Sequence, residues 1–301
     1  MEFCKGWYAI LSSRELKSGK PFAFKRLGFD LVAWRDEFGK AVIMHDYCPH
    51  RSAKLSLGKI ESGKIVCPFH GFEFGSDGAC LLVPETRKSA PNLSCSTFKS
   101  QESNGFVWLW FGDDNDIPAQ HPWFEQLQGD FPYSEFQSQW RSHITRCIEN
   151  QLDYAHLPYV HASTIGGGFD VAAKERKFEL EDYVITMRMD KSLFQFKFPN
   201  VWLLEILPGK FYQFVAFVPV DEENTIIYAR AYQKFVTAPF LRDLLGLIMR
   251  YQSGIILNQD KRVVVSQPIS PSTLATTEKL YPSDAGIAHF RKRWSECSII
   301  K

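Results

Sequence analysis

A chain of 301 residues is long enough to form two domains of ordinary size, each with a hydrophobic core of its own. Its 35 basic and 34 acidic side chains leave a formal net charge of +1, which provides no basic surface for nucleic acid or for an anionic membrane. The composition therefore excludes a protein that works through a strongly charged surface.

The first part of the chain reads as short β-strands separated by turn signals such as Ser76-Asp77-Gly78. Strands are predicted at residues 22–24, 31–35, 40–45, 64–67 and 105–111. A polar segment that ends in proline follows at residues 113–118, as is typical of a domain boundary. We therefore expect an all-β domain over residues 1–117.

Two cysteine-histidine pairs lie in this domain, C-P-H at residues 48–50 and C-P-F-H at residues 67–70, with sixteen residues between them. Thiolates hold one iron of a Rieske [2Fe-2S] cluster, and two neutral imidazoles on the other iron raise its reduction potential. The prolines stiffen the turns that aim the ligands. The expected cluster ligands are Cys48, His50, Cys67 and His70.

Two other interpretations of these pairs remain open on the residues alone. A structural zinc ion also takes cysteine and histidine in pairs, although its pairs usually have wider internal spacing than the single residue between Cys48 and His50. The cysteines could instead be ordinary buried residues beside incidental histidines. Four ligand-type residues at one specific spacing favour the cluster.

The second part mixes strands with helix, and we expect a catalytic domain over residues 118–301. Strands are predicted at residues 185–188, 194–199, 202–207, 211–220 and 225–234, and helical periodicity covers residues 240–265. Residues 221–224 are expected to turn one hairpin. The glycine run at residues 166–168 does not follow a buried strand, so it does not predict a dinucleotide-binding fingerprint.

His156 and His161 are candidate ligands of a second metal. Non-haem Fe(II) oxygenases hold iron with two histidines and one carboxylate and leave positions open for O2. A five-residue step on an unbroken helix would turn the two rings about 140° apart, and Pro158 is expected to interrupt the helix so that the second ring swings back. The spacing alone also suits a helix end whose histidines cap carbonyls or pack in the core.

The order of the motifs favours the metal. C-x-H-R and C-P-x-H-G, followed after Asn150 by D-x2-H-x4-H, resemble the α subunit of Rieske non-haem iron oxygenases, in the homomeric branch that hydroxylates or demethylates aromatic rings. Phe69 stands where respiratory and photosynthetic Rieske proteins have a further cysteine, which favours the oxygenase or ferredoxin branch. The resemblance implies an α+β fold, with an all-β Rieske domain followed by a helix-grip (START-like) catalytic domain. In that domain a curved antiparallel sheet would wrap around a long C-terminal helix.

The resemblance implies two cofactors, one Rieske [2Fe-2S] cluster and one mononuclear Fe(II) held by His156, His161 and a distant carboxylate. Asp260 is the expected carboxylate, because it shares a largely apolar helical face and a buried lone aspartate is costly unless it is paired or binds metal. The predicted face comprises Leu245, Met249, Ser253, Ile256, Asp260 and Val263. Residues 258–264 also resemble the segment that carries the family's carboxylate ligand.

Other assignments of the carboxylates remain open. Asp260 could pair at the surface with Lys261 or Arg262, and Asp243 and Asp170 are weaker candidates for the iron ligand.

Asp153 has a separate expected role. It lies three residues before His156, on the same predicted helical face, and could accept a proton from a histidine ring. The resemblance implies that Asp153 bridges His156 to His70 or His50 of a neighbouring subunit, which in turn implies a homotrimer. A plain surface aspartate is the alternative.

These features predict a terminal oxygenase component. Electrons from a separate NAD(P)H-dependent reductase, directly or through a ferredoxin, would pass through the cluster to Fe(II), where O2 is activated. The substrate would be an aromatic or other ring-containing small molecule that is hydroxylated or oxidatively demethylated. Monooxygenation is favoured over ring cis-dihydroxylation, and the competing class is a Rieske electron carrier without oxygenase activity.

Two further expectations concern side chains outside the metal sites. Five aromatic residues on predicted strands could line an apolar pocket or form ordinary sheet core: Phe194, Phe196, Trp202, Tyr212 and Phe214. The basic run at residues 291–293 is expected to be a solvated helix face or a surface for reductase docking.

The chain shows no targeting or membrane signal. Residues 1–12 lack the basic segment and apolar run of a signal peptide, and charged residues interrupt the most apolar helical stretch. Five of the seven cysteines are expected to be reduced thiols: Cys4, Cys80, Cys95, Cys147 and Cys297. We therefore expect a cytoplasmic protein with no membrane span.

Overall fold

The computed structural model of the protein describes residues 2–129, 131–172, 177–189, 192–272 and 277–300. The chain forms two compact units: Trp7–Ile117 is one, and Met1–Gly6 joins Pro118–Lys301 in the other. The first unit is built of strands, and the second combines one large sheet with helices, so the fold is α+β.

Short strands dominate the N-terminal part of the chain. They are β1 (Glu2–Cys4), β2 (Gly6–Ser12), β3 (Phe22–Arg26), β4 (Phe29–Arg35), β5 (Ala41–His45), β6 (Lys59–Glu61), β7 (Lys64–Val66), β8 (Glu73–Phe74), β9 (Ala79–Val83), β10 (Lys88–Ser94), β11 (Ser100–Ser103) and β12 (Phe106–Phe111). In the first unit they form three sheets, ordered β10-β9-β8-β7-β6, β11-β12-β2 and β3-β4-β5. Single turns of 3-10 helix lie at Leu55–Leu57 and Asp114–Asp116.

Local sequence explains these elements. All six residues of β12 are buried, which is the continuous apolar run of a strand covered on both faces. Ser103 of β11 pairs with Phe106 of β12, and the two residues between them, Asn104 and Gly105, have φ of 54° and 72°. An Asn-Gly pair with positive φ at both positions is the preferred two-residue hairpin turn.

The second unit holds the helices. Its elements after β1 are β13 (Tyr133–Trp140), α1 (Ile144–Leu152), α2 (Leu157–Val160), β14 (Lys177–Leu180), β15 (Val184–Met189), β16 (Ser192–Lys197), β17 (Val201–Leu207), β18 (Phe211–Pro219), β19 (Thr225–Gln233), α3 (Pro239–Val264), α4 (Ala285–Cys297) and β20 (Ser298–Ile300). Turns of 3-10 helix lie at Glu125–Leu127 and Pro282–Asp284. A seven-stranded antiparallel sheet has the order β13-β19-β18-β17-β16-β15-β14.

The predicted strands and the long predicted helix are all present, with bounds that shift by at most two residues. The hairpin at residues 221–224 is confirmed, because the Asn224 carbonyl accepts a hydrogen bond from the Val220 N–H at 2.9 Å. Ten strands have no counterpart among the predictions: β1, β2, β6, β8, β9, β10, β11, β13, β14 and β20. Of these, β10 and β13 carry many polar residues, which weakens the apolar pattern on which strand prediction depends.

The long helix α3 packs on the edge strand β13. A Cβ on Gly254 would lie 3.2 Å from the Phe136 ring, so this glycine lets the helix approach the sheet closely. The prediction that Asp260 points inward is confirmed by its exposure of 1 %, whereas Val263 is 38 % exposed and does not belong to the buried face. Within the described ranges, no helix is both long and apolar enough to cross a membrane.

The prediction of five reduced thiols is wrong for two of them. Cys4 and Cys297 form a disulfide, with their Cα atoms 4.8 Å apart. Strands β1 and β20 pair in antiparallel register and bring these two residues side by side, although they lie 293 positions apart in sequence. Spacing along the chain contains no signal of such a contact. The other five cysteines are free and buried.

Candidate metal centres

The two cysteine-histidine loops of the first unit share one backbone design. In each, the cysteine carbonyl accepts a hydrogen bond from the N–H four positions on, at 2.8 Å for Cys48 and 3.0 Å for Cys67. Each cysteine N–H donates to the carbonyl five positions on, at 2.8 Å in both loops. The residue four positions after each cysteine has a positive φ, 53° at Ser52 and 74° at Gly71. The two loops therefore turn in the same way around their cysteines.

The cysteines and the histidines of these two loops differ in burial. Cys48 and Cys67 are 1 % and 2 % exposed and belong to the apolar core of the unit, whereas His50 and His70 are exposed with ring centroids 4.8 Å apart. This arrangement suits a cluster with its thiolate-bound iron inside and its imidazole-bound iron at the surface.

The protonation of Cys48 also fits a bound metal. Burial raises the pKa of the Cys48 thiol to about 11; the backbone N–H of His50 lowers this pKa and the neighbouring Cys67 thiol raises it. Such a thiol stays protonated at neutral pH unless a metal ion replaces the proton. The donor set therefore fits a Rieske [2Fe-2S] cluster.

In the second unit, a helix break places the other two histidines. Helix α1 ends at Leu152, and α2 begins after His156 and ends before His161. The prediction that Pro158 interrupts a helix is wrong, because Pro158 lies in the first turn of α2, where the missing N–H costs little. The prediction that Asp153 and His156 share a helical face is also wrong, since Asp153 lies beyond the end of α1.

Two imidazoles and one carboxylate lie close together next to the segment between α1 and α2. The Asp260 Oδ1 atom lies 2.9 Å from His161 Nε2 and 3.5 Å from His156 Nε2. The candidate ligand atoms of the three residues lie within 4.8 Å of one another. The side chains of Asp260 and His161 are each 2 % exposed, and that of His156 is 14 % exposed. This group could hold one metal ion and leave coordination positions open.

The electrostatics of the group favour a cation. Burial by itself raises the pKa of the Asp260 carboxyl, but hydrogen bonds from His156 and His161 outweigh it and the pKa falls below its usual range. Burial by itself lowers the pKa of His156, but the carboxylates of Asp153 and Asp260 raise it to about 9. Positive charge is therefore stabilised between these side chains, as a divalent metal requires.

The remaining sequence candidates lie away from this group or at its edge. Asp153 Oδ2 is 3.6 Å from His156 Nδ1, and Asp153 Oδ1 accepts a hydrogen bond from the Ala155 N–H at 2.6 Å. The Asp243 side chain is 76 % exposed, and Asp170 is also exposed. Of the candidate carboxylates, Asp260 is thus the one that meets both histidines.

Comparisons with known proteins agree with this pair of sites. Residues 6–99 match the Rieske [2Fe-2S] domain, and residues 140–205 match the vanillate O-demethylase oxygenase C-terminal domain. The first match contains the four candidate cluster ligands, and the second contains His156 and His161, whereas Asp260 lies beyond its end. The chain carries a Rieske [2Fe-2S] domain and an oxygenase C-terminal domain. Proteins that combine these two domains hold a [2Fe-2S] cluster and a mononuclear iron.

Individual relatives show how far the likeness extends. Chlorophyllide a oxygenase of Chlamydomonas reinhardtii is 36% identical over 55% of this chain and 25% of its own length. The oxygenase component of 3-ketosteroid-9-alpha-monooxygenase from Rhodococcus rhodochrous is 31% identical over 53% of this chain and 43% of its own length. The chain thus spans between a quarter and a half of the length of these curated relatives.

The same fold is seen in a solved structure. Pseudomonas putida CBB5 NdmA superposes with a TM-score of 0.82 over 97% of this chain and 89% of its own, at 23% identity.

Several residues around the candidate site of His156, His161 and Asp260 could not be recognised from the sequence. Arg291 was expected on a solvated face, but its side chain is only 4% exposed. It donates to both carboxylate oxygens of Glu149 on α1, at 2.7 and 2.9 Å, and to Glu278 at 2.6 Å. The pattern of the basic run could not show this, because Glu149 lies 142 residues away. Arg291 therefore links α4 to α1, the helix that precedes the candidate ligands His156 and His161.

Gly166 is a second residue whose role the sequence did not reveal. Its N–H and that of Thr164 donate to the His161 carbonyl, each at 2.9 Å. A Cβ on Gly166 would lie 1.9 Å from the Leu157 carbonyl oxygen, so only glycine fits there. This glycine closes the loop that follows α2 and fixes the backbone of His161.

The sheet register sorts the five aromatic candidates between two faces. Phe194, Phe196 and Trp202 share the face that meets the helices, where Phe196 packs against Phe290 of α4 at 5.6 Å. Tyr212 and Phe214 lie on the opposite face and are ordinary core there.

A series of aromatic rings extends from Tyr154, two residues before His156, to the helix-facing side of the sheet. Tyr154 lies 6.4 Å from Phe178, Phe178 lies 6.4 Å from Phe194, and Phe194 lies 5.8 Å from Trp202. The Trp202 Nε1 atom is buried and has no hydrogen-bond partner among the residues that the structure describes. An apolar surface with one unused donor therefore begins next to the segment that bears His156.

Proposed function

We propose that this protein is the terminal oxygenase component of a multicomponent system and that it hydroxylates or oxidatively demethylates a ring-containing small molecule. The observation that carries the proposal is the buried convergence of His156, His161 and Asp260 in a chain that also holds two Rieske loops. An electron carrier would need only the loops. A second metal position with open coordination sites is what O2 activation requires.

The residues have the following proposed roles, with one functional domain at residues 1–117 and the other at 118–301. The cluster ligands are Cys48, His50, Cys67 and His70, and the ligands of the mononuclear iron are His156, His161 and Asp260. When bound, the cluster supplies single electrons and the iron supplies a position for O2. The chain positions these groups and limits the access of water to them through the low exposure of Asp260 and His161.

Asp153 is proposed to act on the far side of the His156 ring. Its carboxylate faces Nδ1 at 3.6 Å and favours a proton there, which leaves Nε2 free as the metal-binding nitrogen. The 29 % exposure of its side chain lets Asp153 also reach a histidine of another subunit.

The proposed substrate is an apolar ring compound that carries a hydrogen-bond acceptor. The aromatic surface from Tyr154 to Trp202 suits a flat apolar molecule, and an acceptor on that molecule would satisfy the buried Trp202 Nε1–H. The match to the vanillate O-demethylase domain supports demethylation or hydroxylation over ring cis-dihydroxylation, which is the runner-up.

The proposed partners are a separate NAD(P)H-dependent reductase, with or without an intermediate ferredoxin, and two further copies of this chain in a homotrimer. An apolar stripe along α3 supports self-association, because it exposes large side chains over four turns. The stripe comprises Phe240, Leu244, Leu247, Ile248, Tyr251 and Ile255, which are 38 to 79 % exposed. A surface of this kind usually contacts another molecule.

The proposed compartment is the cytoplasm. Three cysteines outside the cluster loops, Cys80, Cys95 and Cys147, are free thiols, as in a reducing environment. The disulfide between Cys4 and Cys297 does not support this assignment.

Substrate-dependent O2 consumption tests the proposal. The iron-loaded protein, a surrogate reductase and NADH are combined with a panel of alkaloids, aromatic methyl ethers and steroid ketones in an oxygen electrode. Hydroxylation uses one O2 and two electrons from NADH, so that one oxygen atom enters the product and the other leaves as water. We expect at least one compound to raise O2 uptake and to yield a product with one added oxygen atom, or formaldehyde from a lost methyl group.

Two aspartates on the same helix provide the variant and its control. Asp260→Ala should lower substrate-dependent turnover by at least about 100-fold while the cluster spectrum persists, because the iron loses its carboxylate ligand. Asp243→Ala, at an exposed position of α3, should turn over as the wild type does. A protein with a reducible cluster but no O2 uptake on any compound would instead be an electron carrier.

A further inference from the structure

The Nδ1 atom of His161 contacts a polar side chain that is neither a proposed metal ligand nor Asp153. His161 Nδ1 lies 2.8 Å from Gln259 Oε1, and His161 Nε2 lies 2.9 Å from Asp260 Oδ1. Gln259 and Asp260 are consecutive residues of α3, so one helical segment contacts both nitrogens of the same ring.

Both polar atoms of the Gln259 amide make further hydrogen bonds. Its Oε1 accepts a hydrogen bond from the Thr164 hydroxyl at 2.9 Å, and its Nε2 donates to the Ser163 hydroxyl at 3.3 Å. The loop that carries these two hydroxyls is closed on the His161 carbonyl by the N–H groups of Thr164 and Gly166. The amide, the ring and the loop therefore fix one another.

We propose that Gln259 is a positioning residue that sets the tautomer of His161, an inference that rests on the proposed iron site. With Oε1 facing the ring, Nδ1 must carry the proton and Nε2 presents its lone pair to the metal. The opposite orientation of the amide would offer an N–H to Nδ1 and require the proton on Nε2, where it would exclude the metal. Gln259 thus does for His161 what Asp153 is proposed to do for His156, with a neutral amide in place of a carboxylate.

This asymmetry has a chemical consequence. A carboxylate partner draws the proton of the opposite ring nitrogen toward itself and raises the electron density on the metal-binding nitrogen, whereas an amide does so less. His156 and His161 would therefore be unequal ligands.

Metal affinity and a ligand-field spectrum test the role of Gln259. In the full chain with its cluster intact, the mononuclear site is titrated with Co(II) against a competing chelator in wild type, Gln259→Leu and Gln259→Glu. We expect Gln259→Leu to weaken Co(II) binding by about 10- to 100-fold and to alter the d–d absorption bands, because Nδ1 loses its acceptor. Gln259→Glu keeps an obligatory acceptor and should bind Co(II) at least as tightly as wild type.

A neighbouring amide serves as the control. Asn258 is exposed on the same turn, so Asn258→Ala should leave both the affinity and the spectrum unchanged. If Gln259→Leu binds Co(II) as wild type does while Asp260→Ala does not, the role of Gln259 is refuted and the iron site stands. If Gln259→Leu and Gln259→Glu weaken binding equally, a hydrogen-bond acceptor at this position does not support metal binding and the inference is also refuted. If wild type binds no Co(II) outside the cluster, both the inference and the proposed function fail.

Discussion

At the scale of single residues, the burial of Asp260 is the feature that links sequence to chemistry. The apolar helical face predicted that this carboxylate points inward, and its exposure of 1 % confirms it. The contact between Gln259 and His161 could not be predicted in the same way. It joins residues 98 positions apart through side-chain atoms, and helical periodicity carries no information about such a pair.

His143 is a residue whose protonation should limit stability in acid. Burial lowers the pKa of His143 to about 4, and its Nδ1 accepts a hydrogen bond from the Thr145 N–H at the N-terminus of α1. In the unfolded chain the same group has its ordinary pKa of 6.5. The folded state thus binds fewer protons between these values, so its stability is complete above pH 6.5 and falls as the pH drops toward 4.

The variant His143→Asn separates this effect from other acid effects. Asparagine is a good N-terminal helix cap and does not titrate. Between pH 7 and 4.5 we expect the free energy of unfolding of the wild type, measured by urea denaturation, to fall by about 2 kcal/mol more than that of the variant. Equal losses in the two proteins would show that His143 does not stay neutral in the folded state.

At the scale of elements, the positions of strands with regular apolar alternation were predicted well. The contacts that the helices make could not be predicted. The strands from β15 to β19 and the hairpin at residues 221–224 lie where they were predicted, because their patterning is local. The position of α4 depends instead on the ion pair of Arg291 with Glu149, whose partners are remote in sequence. Because these partners are remote in sequence, the basic run at residues 291–293 was predicted to be a solvated helix face.

That ion pair should matter for stability. Arg291→Ala would leave the buried Glu149 carboxylate without its bidentate partner, and we expect a loss of about 3 to 5 kcal/mol in the free energy of unfolding. Arg293→Ala on the same helix removes pairs with the exposed Asp182 and Glu296 and should cost less than about 1 kcal/mol. Urea denaturation of the two variants compares them directly. Similar losses in both would contradict the role assigned to the buried pair.

At the scale of the whole molecule, two metal-binding motifs on one chain define the protein better than either does alone. The loops around Cys48 and Cys67 were predictable because each cysteine-histidine pair is local in sequence. The disulfide between Cys4 and Cys297, which joins the two ends of the second unit, could not be predicted. No local pattern marks a contact between residues that lie 293 positions apart. The sequence thus contained the chemistry of both sites, and the structure adds the residues that hold them in place.

The iron content of the purified protein distinguishes a chain with two metal sites from one that holds only the cluster. We expect about three iron atoms and two acid-labile sulfides per chain for the wild type and for Asp243→Ala, since one [2Fe-2S] cluster and one mononuclear iron are bound. Asp260→Ala should retain the two sulfides and the cluster spectrum but only about two iron atoms. A wild type with two iron atoms would show that there is no mononuclear iron, and an Asp260→Ala protein that keeps the third iron would show that Asp260 is not its ligand.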